Sequence, residues 1–143
     1  FCLSRGLGDV YKRQYLEFLC RGRPEFATFS LGIHTHDDEL SDPSLEGVKR
    51  KIQDHKHFAE RFSEIDASEL PKDKKWDLEI VRSALAREIY SIEEIGMWRK
   101  YPDYVMQICV AIDPLYSRDY PDLDPRMRSL CSRLEKAVPF LES

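Results

Sequence analysis

Between Ser68 and Trp98 the chain keeps one helical period, with no proline after Pro71. At about 100° per residue, Leu78, Ile80, Val81, Ala84, Leu85, Ile89, Ile92 and Ile95 fall in one arc covering roughly half the circumference. A surface helix usually carries a narrower apolar stripe. The pattern therefore predicts a central helix with neighbours on more than one side. A second run steps by three and four through Leu45, Val48, Ile52, His55, Phe58, Ala59, Phe62 and Ile65. Lys49, Gln53, Lys56, His57, Glu60 and Glu64 lie opposite. This is an amphipathic helix of about 20 residues, opened by Asp42 or Ser44 as the side chain that accepts the first free backbone N–H groups. His55 falls on its apolar side, as a hydrogen-bonded core histidine, and His57 on its wet side.

The remaining segments read the same way. Tyr15–Arg21 is a short helical run ended by Gly22. Pro24 and Glu25 suit a first turn, and the helix they open stops at Gly32. Gly32–Pro43 is the most polar and irregular connection. Asp66–Asp73 is a turn with Ser68 and Asp73 as caps. The central helix weakens near Gly96, and Lys100-Tyr101-Pro102 marks a break. A further helix runs from Asp103 to Asp113 and toward Tyr116, with Tyr104, Val105, Ile108, Cys109, Ile112, Leu115 and Tyr116 on one side; Pro114 should kink or end it. After a loop at Ser117–Leu123, Asp124-Pro125 opens a helix with Met127, Leu130, Cys131, Leu134 and Val138 on its apolar face, and Pro139 suits the start of another. No strand-like alternation and no internal repeat occurs. The expected fold is all-α: an antiparallel helical bundle segment of about five to six helices, part of a larger helical protein.

Composition narrows the function classes. The 143 residues carry a net charge of −4, with 42% hydrophobic and 34% charged residues. That is one globular domain. A mild acidic excess argues against a general phosphate-backbone binder, so no nucleic-acid partner is expected. No apolar run approaches the roughly 20 residues a membrane-spanning helix needs. The cysteines, Cys2, Cys20, Cys109 and Cys131, show no C-x-x-C spacing, which argues against a zinc knuckle or redox pair. Cys109 and Cys131 are expected as small buried apolar residues.

The opening string Phe1–Gln14, FCLSRGLGDVYKRQ, has two of the six glycines and no helical period. It resembles a translated sequencing-adapter remnant of the kind seen in metagenomic gene predictions; the other reading is a disordered arm. Without it, 19 basic face 25 acidic residues. The first methionine is Met97, and the chain stops where a helix could begin. The expected organisation is thus residues 1–14 as artefact or arm, and residues 15–143 as the N-terminal helical portion of a larger domain, truncated at its C-terminus.

Two places carry candidate chemistry. His34, His36, Asp37 and Asp38 are close enough in sequence to bind a divalent cation such as zinc, although the flanks are helical and no distant ligand pair completes the set. The alternative is a polar loop with an aspartate turn. Glu88 lies inside the apolar arc and calls for a structural ion pair with a cation from a neighbouring helix, with Arg128 and Arg133 as possible partners. No H-E-x-x-H, G-x-S-x-G or phosphate-cradling glycine loop is present, so no catalytic or cofactor-binding residue is assigned.

From Tyr15 onward the chain resembles the N-terminal part of the bacterial family called domain of unknown function 885. The resemblance rests on Arg23-Pro24-Glu25-Phe26-Ala27-Thr28, Leu31-Gly32-Ile33-His34, and Asp37-Asp38-Glu39-Leu40-Ser41-Asp42. It continues in order through Ile65-Asp66, Trp76 to Ile95, Trp98, Tyr101-Pro102, Tyr104, Leu115, Arg118-Asp119 and Arg133-Leu134-Glu135. Thr35 between two histidines departs from the family pattern. The resemblance implies a large helical parent similar to zinc metallopeptidases of the H-E-x-x-H class, in which a glutamate activates a zinc-bound water. The ligands would lie in the C-terminal portion, beyond this chain. The expected role is then an N-terminal scaffold segment of a zinc-dependent peptidase-like hydrolase, itself inactive, whose partners are the rest of its own chain and, in the parent, a peptide. A secretion signal in an exported parent would lie upstream. The alternatives are a non-enzymatic helical interaction module, motivated by the wide apolar arc, and a small metal-binding protein using the 34–38 loop.

Overall fold

The computed structural model describes residues 2–68, 70–100, 104–119 and 122–142, with side chains described from residue 10 onward except at 104 and 105. Among the described residues every regular element is helical. In order they are α1 (Cys2–Gly22), α2 (Pro24–Phe26), a π-helical turn (Ala27–Leu31), α3 (Leu45–Ser63), α4 (Lys72–Tyr90), a second π-helical turn (Ser91–Ile95), α5 (Met97–Lys100), α6 (Tyr104–Ser117) and α7 (Leu123–Glu142). The all-α expectation holds, with seven helices rather than five to six. The added one is α5, set off from the preceding turn by Gly96 at φ 64°. Gly32 ends the first π turn with the same φ of 64°. Both positions need the left-handed backbone that glycine adopts without penalty. The expected break at Tyr101-Pro102 lies outside the described residues. No described helix is long and apolar enough to cross a membrane.

The chain parts into two compact units: residues 1–16 with 48–101, and residues 17–47 with 102–143. In the first, Arg82 of α4 reaches the end of α3, and Lys51 of α3 pairs with Glu88 late in α4. Leu78, Leu85 and Ile92, seven residues apart, are buried, as are Phe62 and Val48 of α3. The rest of the apolar arc is only partly covered: Val81, Ala84 and Ile89 are half-buried, and Ile80 is 66% exposed. His55 is buried, with Nδ1 2.7 Å from Lys51 O, as expected of a core histidine. Arg82 serves the carbonyls that a helix end leaves without partners. It donates to Phe62 O at 2.9 Å, Ser63 O at 3.3 Å and Ile65 O at 3.0 Å. The central helix starts at Lys72 after Pro71 and has no side-chain cap, so Ser68 and Asp73 do not cap it. Asp66 instead accepts from Ser68 N at 2.8 Å. That bond holds the Asp66 carboxyl below its ordinary range.

The opening stretch also differs from expectation. Residues read as lacking a helical period continue α1 through Gln14. Tyr11 and Tyr15 stand one turn apart, and each ring lies 5.8 Å from that of Phe62. Lys12 pairs with Asp77 and lowers its carboxyl, and Arg61 donates to Gln14 Oε1 at 2.7 Å.

In the second unit α6 and α7 form a hairpin, and α2 with its π turn packs on α6. Pro114 does not end α6, which continues to Ser117. Pro139 likewise sits inside α7 rather than opening a new helix. The buried residues of α7 are Arg126, Arg133, Ala137 and Phe140. This stripe is rotated by about one residue from the apolar face read in the sequence, so Leu134, Val138 and Cys131 are exposed. Cys109 is exposed too, because α6 buries Ala111, Pro114 and Leu115. Among the described cysteines the buried one is Cys20, whose thiol is pushed up by burial and then by the charge of Glu17.

Candidate functional site

Loops leave backbone carbonyls without ladder partners, and buried carbonyls need donors. In the second unit arginines supply them. Arg118 donates to Phe29 O at 2.8 Å, at the end of the first π turn, and its guanidinium lies 5.0 Å from the Phe29 ring centre. Arg126 donates to Arg118 O and fastens the α6–α7 connection. The deepest of them is Arg133, with 0% of its surface exposed.

Arg133 reaches from the middle of α7 into the Gly32–Pro43 loop. Its Nε donates to Glu39 O at 3.0 Å. One terminal nitrogen donates to Ala111 O. The other donates to Thr28 Oγ1 at 2.8 Å and lies 3.3 Å from His36 O and 3.4 Å from Pro24 O. Pro114 helps explain why a helical carbonyl takes part. Proline has no N–H for Val110 O, so the turn beside Ala111 lacks one backbone hydrogen bond. The planar fork of a guanidinium can serve separated acceptors as a single ammonium cannot.

A buried cation needs a compensating charge. Asp37, 7% exposed, is linked to Arg133 through Thr28: Thr28 Oγ1 is 2.7 Å from Asp37 Oδ1. Thr28 Oγ1 also lies 3.0 Å from Pro24 O, but its one proton goes to the nearer, charged oxygen. The other Asp37 oxygen is 2.9 Å from His34 Nδ1. An ionised carboxylate only accepts, so Nδ1 carries the proton. The result is a chain of contacts, Arg133–Thr28–Asp37–His34, running from the interior to a ring whose side chain is 30% exposed.

The rest of the loop is tied down similarly. Glu25 is buried and accepts from Ser41 N at 2.9 Å and from Ser41 Oγ. Ser132 Oγ and Lys136 Nζ, on α7, donate to Asp38 O at 2.9 and 2.7 Å. Glu39 N closes a turn on His36 O at 3.1 Å. Asp42 accepts from Ser44 N at 3.0 Å and Ser44 Oγ accepts from Gly47 N at 3.1 Å, so both expected start signals of α3 are used.

The four loop residues that suggested a metal site thus take different places. His34 and Asp37 pair with each other. His36 Nε2 turns to Glu17 Oε1 at 3.0 Å, and Asp38 is exposed with its carbonyl held from α7. Among the described residues no three His, Cys, Asp or Glu side chains are grouped as metal ligands. Glu88 Oε1 accepts from Lys51 Nζ of α3 at 2.7 Å, where Arg128 and Arg133 were expected as partners. Arg133 and Thr28 belong to the stretches that carry the family resemblance, but neither was read as part of a site. One signal for Arg133 exists: Leu130, Ala137 and Phe140 place it inside a three-and-four stripe.

Fold and site together define an all-helical protein whose buried polar groups fix one long loop. The chain belongs to the family of bacterial proteins of unknown function known as DUF885, whose model matches residues 24–143. That span contains the Arg133 cage and the whole loop. No curated protein and no solved structure matches the chain.

Proposed function

We propose that this chain is an N-terminal scaffold segment of a zinc-dependent, peptidase-like hydrolase, with the metal and its catalytic glutamate supplied by another part of the parent. One observation carries the reading. The most buried cation among the described residues, Arg133, is directed at main-chain carbonyls and a hydroxyl, which holds the loop in shape. Such a cage suits a wall that keeps a cleft open. The test is to recover the parent reading frame and to assay both proteins on peptide substrates with zinc. The reading expects a downstream H-E-x-x-H and chelator-sensitive hydrolysis by the parent alone. Robust zinc-dependent turnover by these 143 residues would refute it.

A second reading, a non-enzymatic helical interaction module, is favoured by apolar side chains facing solvent. Leu134, Val138 and Leu141 follow one side of α7, and Trp76 and Ile80 one side of α4. Sedimentation of the chain distinguishes it: concentration-dependent association supports the module, and a stable monomer counts against self-assembly.

A further inference from the structure

We propose that the solvent side of α4 is a self-complementary interface, on which a second copy of this chain docks its own α4, antiparallel, about a two-fold axis at Ser83. The pairing rests on the interaction-module reading and gives that module a partner and a face. α4 carries two columns of residues at seven-residue spacing. Leu78, Leu85 and Ile92 form the buried one. On the opposite side Trp76, Ser83 and Tyr90 face solvent; Trp76 is 63% and Tyr90 58% exposed, and Ile80 lies beside them. A stripe that returns every seven residues keeps to one face when two helices coil around each other. Two aromatic rings and an isoleucine on that stripe exceed the single exposed apolar residues of an ordinary surface.

The order of residues along the stripe selects the partner. About a dyad at Ser83, Trp76 of one copy stands level with Tyr90 of the other, and Lys72 with Glu94. Each pair occurs twice, as a two-fold interface requires. Ser83 is small at the crossing and lets the two helix axes come close. Lys72 and Glu94 are exposed, and among the described residues their side chains make no ion pair. Antiparallel docking joins these opposite charges at both ends of the contact. Parallel docking would set lysine against lysine and glutamate against glutamate, which repel. One helix face from each copy is a small interface, so the dimer is weak, with a dissociation constant on the order of 10 µM.

Sedimentation equilibrium of the full chain from about 1 to about 300 µM tests the pairing. A monomer–dimer equilibrium is expected. Trp76→Ala should raise the dissociation constant by more than about tenfold, and Lys72→Glu or Glu94→Lys alone by about fivefold. The double variant Lys72→Glu with Glu94→Lys should return to within about twofold of wild type, because the exchanged charges again face each other. Leu134→Ser, on the exposed side of α7, should leave the equilibrium unchanged. Far-UV circular dichroism verifies that each variant keeps its helices. A chain that stays monomeric across the range overturns the proposal and leaves this face to the rest of the parent. A dimer that Leu134→Ser abolishes and Trp76→Ala does not also overturns it, while the interaction-module reading stands. So do single charge variants whose losses add, rather than cancel, in the double variant.

Discussion

Replacing Arg133 with methionine tests the cage directly. Methionine has similar length and flexibility, so the space is largely filled. What is lost is donation. The close bonds run to Glu39 O, Ala111 O and Thr28 Oγ1. At about 1.5 kcal/mol for each hydrogen bond to a charged group, the three amount to about 4.5 kcal/mol. The contacts at 3.3 and 3.4 Å add little. The removed charge also leaves Asp37 in the interior, which is why breaking one side of a buried charged network costs about 3–5 kcal/mol. Both routes give a similar figure, against total stabilities of about 5–15 kcal/mol. For a chain of this size that is a fall in melting temperature on the order of 10 °C. Arg133→Lys keeps the charge but not the fork, and should lose about half as much. Urea unfolding followed by far-UV circular dichroism reads both, with the denaturant slope unchanged. A methionine variant within about 1 kcal/mol of wild type would refute the reasoning, and full rescue by lysine would show that charge alone matters.

Other outcomes follow from the same structure. Gly47→Ala should destabilise the protein by about 1–3 kcal/mol, because a Cβ there strikes the Asp42 backbone carbonyl and side chain; a melting curve superimposable on wild type would exclude the clash. The Asp66 carboxyl is lowered by the Ser68 N–H, so its folded form loses its proton more readily than its unfolded form. The stability it adds is present above the unfolded value of about 3.9 and is lost as pH falls through the lowered folded value. The stability difference between wild type and Asp66→Ala, measured by urea titration, should therefore shrink below about pH 4. In native alkylation at mildly alkaline pH, Cys109 and Cys131 should label well before Cys20, which is buried with a raised thiol, and peptide mass spectrometry reads the order.

Much of the fold was legible because its signals are local. Gly32 and Gly96 end helices as their φ requires, and Ser44 and Asp42 open α3. What misled was the assumption that apolar residues mark the inward face. In α7 the inward stripe contains Arg126 and Arg133, and the apolar residues read as core lie beside it, facing out. Periodicity ranks arginine as a surface residue and cannot foresee that loop carbonyls will draw one inside. Pro114 was read as a kink or end and Pro139 as the start of another helix, yet α6 and α7 run through them. His34, His36, Asp37 and Asp38 were grouped by sequence proximity. Spacing alone does not show that one histidine turns to Asp37 and the other to Glu17.

The acceptors and the donor of the Arg133 cage lie far apart in the order of synthesis. Pro24, Thr28, His36 and Glu39 leave the ribosome about a hundred residues before the guanidinium that satisfies them, at separations of 94 to 109 positions. Closing so long a loop is slow compared with forming local helix. The nascent 32–43 segment must therefore wait, hydrated and unset, while α3 and α4 are already able to pair. Maturation of the second unit therefore follows the synthesis of α7, which brings the guanidinium that sets the loop.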